Sequence, residues 1–250
     1  MFLSSIYTSK CDHRSHRVLT LIFMNASLLN PAPRRETLSA NVLGQIKELL
    51  LTGQLMPGES LSLRSTALAL GVSVMPVREA VHQLVADHAL EVAPNRSVRV
   101  PQLSAKQFEE ITRIRLNIEG FAVEQAALNA DAELIEHLHA LNQQLSDAME
   151  HPGQKADAVR INKDIHFSIY AAAHMPMLIK MIETLWLRIG PILNYDLRVG
   201  SERTDKKIAV HHHHELIESL KVRDSAGARS ALHGDIQSAY QSIFQKQFAQ

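Results

Sequence analysis

Arg64, Arg78 and Arg96 are the side chains in this 250-residue sequence whose placement suits contact with a polyanion. A guanidinium carries a planar fork of N–H donors that matches phosphate and the O6/N7 edge of guanine bidentately. Arg78 falls in the first turns of the segment VSVMPVREAVHQLVADH, which reads as a helix. Ser73 stands where an N-cap belongs, and Pro76 falls in the first turn, where a missing N–H costs little. Val77, Ala80, Val81, Leu84 and Val85 keep the other side of that helix apolar. Such a helix, with a proline start and an arginine and glutamate outward, is suited to a groove outside its own protein. Arg64, on the preceding helix, can reach a phosphate or a guanine. Asn95 and Arg96 sit at a hairpin tip and suit a minor-groove contact. Glu79 is expected to pair with a neighbouring basic group or to keep a backbone contact in register. Arg34 and Arg35, just upstream, would add phosphate contacts.

Arg115 and Arg188 pose a different problem. Each is a lone arginine within a mostly apolar helix, and an arginine there needs an anionic partner. For Arg115 that partner is Glu119, one turn away, or a bound carboxylate. For Arg188 a bound carboxylate effector is the reading adopted here. The sequence has no Ser/His/Asp triad pattern, no cysteine nucleophile and no phosphate-cradling loop.

The elements that must position these residues are mainly helical. Hydrophobic residues make up 46% of the chain and aromatics only 5%, with Leu, Ala and Ile dominant, which favours helices over sheets. Charge is balanced at 26 basic against 26 acidic residues. Binding to a polyanion must therefore come from local placement of arginines rather than bulk charge. The single cysteine, Cys11, cannot form an internal disulfide and suits a reducing compartment, so a cytoplasmic location is expected. No apolar run approaches the ~20 residues of a membrane span. Residues 1–37 read as a disordered tail, ending in the polar stretch NPAPRRET.

From residue 38 the pattern gives three helices: LSANVLGQIKELLLTGQL, then SLRSTALALG after a Pro57-Gly58 turn, then the segment holding Arg78. ALEVAPNRSVRVPQL switches to alternation and reads as a short hairpin. Three helices and a hairpin form the winged helix-turn-helix plan, which bounds a first domain at 38–101. Ser104 and Gln107 then open a long helix with a capping-box pattern. Helices follow at about 131–150, 155–173, 176–195, 204–222 and 224–247, with no strand signal. The expected fold is thus mainly α: an N-terminal winged helix-turn-helix and an all-α antiparallel bundle over 102–250. The winged module alone is also compatible with protein contacts.

The stretch GQLMPGESLSLRSTALALGVSVMPVREAVHQLVADHALEVAPNRSVRV resembles the N-terminal domain of GntR-type bacterial transcription regulators. The shared words are a G-x-x-x-P-G-x-x-L turn, the LGVS-x-x-PVREA-x-x-L recognition helix and a wing. The resemblance implies DNA binding as a homodimer, with contacts from Arg64, Ser73, Arg78 and the wing at Asn95 and Arg96. Two positions depart: Val74 stands where many members carry Arg, and Ser97 replaces the wing glycine. The helical half, through ITRIRLNIEGFAVEQAA, NKDIHFSIYAAAHMPML, LWLRIGP and HHHELIESLKVRDSAGARSALHGDI, resembles the FCD-type effector domain of the FadR branch. That implies a ligand cavity in the bundle, a small-molecule effector of carboxylic-acid type, and in many members a divalent metal.

By position the implied ligands here are Asn162, His166, His213 and Asp235, a set suited to Zn2+, Mn2+ or Ni2+. Asn162 stands where Asp is common, and Asp235 where His is common. Asn162 and His166 are i and i+4, on one helix face. A metal-free polar cavity built from the same side chains is the alternative. The internal run VHHHHE spreads around a helix, so at most two of its imidazoles aim inward. His213 is the expected ligand, whereas His174, His212 and His233 are expected at the surface or in packing. The sequence therefore reads as a DNA-binding regulator controlled by an effector, with a helical metalloenzyme carrying an accessory winged domain as the competing class. An enzyme would need an acid/base or nucleophile set beside the metal.

Overall fold

Val42, Ile46, Leu50 and Leu51 recur at helical spacing, and all four are buried along α1 (Leu38–Leu51). The protein is seen here in a computed structural model that describes residues 38–199 and 202–249. The expected tail over 1–37, with Arg34 and Arg35, lies outside the described residues. Gly53 ends α1 at φ 60°, a left-handed conformation that costs glycine little.

The segment after Pro57-Gly58 does more than turn. Ser60–Leu61 is a strand, β1, antiparallel to β3 (Val98–Arg99), which in turn pairs with β2 (Glu91–Val92). The sheet order is β1-β3-β2, so the expected hairpin carries a third strand on its far edge. Two residues are too few to show alternation, which is why the pattern hid this strand. Between β1 and β2 lie α2 (Leu63–Ala69) and α3 (Val74–Ala86). They are joined through Gly71 at φ 64°, where a side chain would be strained. Val77, Ala80, Val81 and Leu84 of α3 are buried, and α3 packs on α1.

In the helical part, α4 (Ala105–Asn129) opens on the full Ser104/Gln107 capping box. Next come α5 (Ala132–Glu150), α6 (Lys155–Ala171) and α7 (Pro176–Val199). The helix expected over 204–222 is two: α8 (Glu202–Asp205) and α9 (Ile208–Lys221). Lys207, at φ 49° and ψ 39°, breaks them apart. A left-handed lysine carries no sequence signature, so the break was not legible. The last helix is α10 (Ser225–Gln247), which lies along α4 and α9, while α5 lies along α6 and α9. No helix among the described residues is long and apolar enough to cross a membrane.

One apolar core runs from the winged part into the bundle, joining Ile46 and Leu50 with residues such as Leu138, Ile165 and Leu187. The seam is close. A Cβ built on Gly190 of α7 would lie 3.0 Å from the Leu50 carbonyl oxygen of α1. Two ion pairs flank it. Lys47 Nζ lies 3.0 Å from Glu183 Oε1 on α7, and Lys163 Nζ of α6 lies 2.6 Å from Glu48 Oε1.

Candidate nucleic-acid interface and buried histidine site

Arg64 opens α2 just after its N-cap, Ser62, whose side chain accepts from the Ser65 amide. Arg78 stands one turn into α3. Both are exposed, as is Arg96 at the wing tip. None of the three makes an ion pair among the described residues. Arg78 and Arg96 face the same groove between α3 and the wing, about 450 Å³, floored by Leu63, Val81, Val85 and Val98. Arg96 adopts φ 64°, a rare conformation for a side chain with Cβ. That tip is held locally: Asn95 Oδ1 accepts from the Ser97 amide at 3.0 Å and the Ser97 hydroxyl at 2.7 Å. Ser97, standing where the family glycine was expected, thus has a structural job. Ser73 occupies the N-cap of α3, but its hydroxyl makes no capping bond. Glu79 accepts from the hydroxyl of Ser39 on α1, so its partner is a hydroxyl rather than the expected basic group.

The second site is buried between α6, α9 and α10. His166 and His213 are each 1% exposed and Asp235 is 5% exposed. Their donors converge: His166 Nε2 lies 3.3 Å from His213 Nε2 and 3.3 Å from Asp235 Oδ2, and His213 Nε2 lies 3.9 Å from that oxygen. Asn162, one turn before His166, lines the same cavity with Arg115, Trp186 and Arg203. The cavity measures only about 30 Å³, room for an ion or about one water.

The tautomers follow from the partners. Tyr170 OH donates to Glu119 Oε2 at 2.5 Å, so its oxygen is left to accept from His166 Nδ1, 3.1 Å away. His166 Nε2 then turns a lone pair towards Asp235 and His213. Burial pushes the His213 imidazole down to about 3 against the opposing pull of Asp235, so it is neutral at pH 7. Its Nδ1 is buried without a partner. Burial opposes ionisation of Asp235, but the Arg203 cation outweighs it and holds this carboxyl well below the usual range.

Three Lewis bases so placed suit a divalent cation. Tetrahedral coordination at about 2.0–2.1 Å puts donors about 3.3–3.4 Å apart, which two of the three spacings match at 3.3 Å. Arg203 of α8 was not anticipated. Its Nη2 donates to Asp235 Oδ1 and its Nε to Ser238 Oγ at 3.0 Å, so one Asp235 oxygen is held while the other faces the imidazoles. Arg115 is tied to Glu119 by bonds of 2.6 and 3.3 Å and lies over the Trp186 ring at 5.2 Å. The structural ion pair expected for it is present, and its guanidinium also borders the cavity. Arg188 is part-buried with its Nε unpartnered, but it does not line that cavity. His212 packs over Gly234, His233 Nε2 donates to the Leu116 carbonyl at 2.7 Å, and His174 is exposed, as expected of these three.

The sequence matches the family described as "Bacterial regulatory proteins, gntR family" over residues 38–100 and the FCD domain over residues 110–238. Among relatives, the HTH-type transcriptional regulator McbR of Escherichia coli is 34% identical over 210 residues, 84% of this chain and 94% of McbR. YdhC of Bacillus subtilis, also named an HTH-type transcriptional regulator, is 26% identical over 74% of this chain and 81% of its own. Among solved structures, E. coli McbR/YncC superposes with a TM-score of 0.78 at 33% identity, covering 84% of this chain and 98% of that one. A GntR-type regulator from Rhodococcus sp. RHA1 gives 0.66 at 19% identity, over 83% and 97% of the two chains, a likeness of fold.

Proposed function

Because the chain belongs to the gntR family of bacterial regulatory proteins and carries an FCD domain, we propose that it binds operator DNA through one half and a carboxylic-acid effector through the other. The division of labour follows residues 38–101 and 102–250. α3 enters the major groove, Arg78 reads bases, Arg64 and Ser73 hold the backbone, and Asn95 and Arg96 meet the minor groove. The observation that carries this reading is the pair Arg78 and Arg96, exposed on two walls of one groove with no partner among the described residues. The relatives are named as transcription regulators, which supports a regulator over the competing metalloenzyme.

The working unit is a homodimer in the cytoplasm. One winged module has a small footprint and the chain has no net charge, so two recognition helices on a two-fold operator supply what one lacks. Ile114, Phe121 and Leu128 are exposed at seven-residue intervals on α4, an apolar stripe that suits a second copy.

In the helical half, Asn162, His166, His213 and Asp235 would hold Zn2+, Mn2+ or Ni2+, which when bound offers a Lewis-acidic position to the effector carboxylate. Arg115 and Arg188 are the candidate cations for that effector, Arg115 from the cavity wall and Arg188 only after rearrangement. A cavity of about 30 Å³ does not admit a carboxylic acid, so binding requires helices to part. An effector acts on DNA only through unequal affinity for two arrangements of the halves. The ion pairs from Lys163 and Glu183 to α1 lie on α6 and α7, two of the helices that wall the cavity, and so would transmit such a movement.

The test is a gel shift on DNA flanking the encoding locus, with carboxylic acids added and with or without chelator. The His166→Ala, His213→Ala double variant should still shift DNA when free, yet lose its effector response and any bound metal. Stoichiometric metal together with normal release of DNA by that variant would refute the site assignment.

A further inference from the structure

His211, His212, His213 and His214 stand on consecutive positions of α9, and the buried site uses only His213. Successive helical residues turn by about 100° around the axis, so His213 and His214 meet different neighbours. His214 is exposed and turns towards α5, its ring 6.1 Å from that of His139. Glu218, one turn further along α9, brings Oε1 within 3.2 Å of His139 Nε2. One donor atom from each of His139, His214 and Glu218 lies within 4.8 Å of the other two. The other oxygen of Glu218 meets Lys221 Nζ at 3.3 Å, which leaves Oε1 to the imidazoles.

We propose that His139, His214 and Glu218 form a second divalent transition-metal site, on the surface, that clips α5 to α9. Two imidazoles and one carboxylate suit Zn2+, Ni2+ or Cu2+, whereas Ca2+ and Mg2+ prefer all-oxygen sets. His214 and Glu218 are i and i+4, so α9 offers two donors on one face. His139 comes from the other helix, which makes the bound ion a cross-link between helices. His139 and Glu218 are about two-fifths exposed, at 39% and 42% of their side chains. The ion can therefore keep water in its remaining positions and exchange directly with solution. His213 and His214 then load the same helix from inside and outside. This site stands on residues distinct from the buried set and does not depend on that set binding metal.

The experiment is a calorimetric titration of untagged, chelator-stripped, full-length protein with Zn2+ and with Ni2+, alongside thermal melts. His139→Ala, His214→Ala should bind one equivalent fewer per chain and lose part of the metal-induced rise in Tm, because an ion bound only to the native state stabilises it. His211→Ala, His212→Ala should keep the full count. If the buried set holds no metal, the parent binds one equivalent and the His139/His214 variant none, which still supports the surface site. An unchanged count in the His139/His214 variant, or loss of that equivalent in the His211/His212 variant instead, would overturn it. The substituted side chains lie on the surface, so folding is not at stake.

Discussion

The winged half keeps its candidate binding charges unpaired and outside, whereas the helical half keeps its own paired and inside. Arg64, Arg78 and Arg96 are exposed and have no ion-pair partner among the described residues. Arg115, Glu119, Arg203 and Asp235 are all less than 8% exposed and bonded to one another in pairs. A surface cation without a partner costs the protein almost nothing and waits for a partner from elsewhere. A buried one must bring its own counter-ion, since desolvation would otherwise be prohibitive. The first half is thus ready to bind as it stands, and the second must rearrange before it binds anything larger than an ion.

The sharpest way to break this contrast is to unpair a charge inside. Glu119→Ala leaves Arg115 and Tyr170 without their acceptor and should lower stability by about 3–5 kcal/mol, read by urea denaturation. A loss below about 1 kcal/mol would mean that solvent reaches the pair. Outside, Arg78→Ala should weaken operator binding by roughly 1–3 kcal/mol per recognition helix, while stability stays within about 0.5 kcal/mol. An unchanged affinity in a titration at fixed salt would remove Arg78 from the interface.

A smaller effect comes from His213. In the native state its imidazole stays neutral down to about pH 3, whereas the unfolded chain takes up a proton below about pH 6.5. The unfolded state binds more protons between those limits, so stability must fall as pH drops through that window, by at most about 1.4 kcal/mol per pH unit. His213→Gln, compared in chelator-treated buffer, should flatten the slope, and identical slopes would show that His213 titrates in the fold as it does in the unfolded chain. Smallest is the seam. Lys163→Gln should cost only about 0.2–1 kcal/mol of stability, because Glu48 is half exposed. Its effector response on DNA should nevertheless change more than that stability loss, and a normal response would exclude this pair from the coupling.

Legibility in the sequence follows the same divide. Arg78, the serine at the N-cap position and the apolar back of α3 lie within a dozen residues, so local pattern alone places them on one helix. The capping box at Ser104 and Gln107 was local too. His166, His213 and Asp235 lie far apart in sequence, and only resemblance to a family could group them. Tyr170, four residues after His166, was visible on the same face, but nothing marked it as the partner of Glu119. Arg203 sits in the polar stretch SERTDKK, where no periodicity separates an inward arginine from a solvated one. β1 and the break at Lys207 escaped because two residues make no pattern and one left-handed lysine has no residue preference.

The close approach of Gly190 to the Leu50 carbonyl has a consequence for genetics. Alanine at this position would set a methyl group against a backbone oxygen that cannot swing aside, wedging α1 from α7 without touching either binding site. A selection for regulators that have stopped listening to their effector should therefore enrich changes at Gly190, a residue that binds nothing.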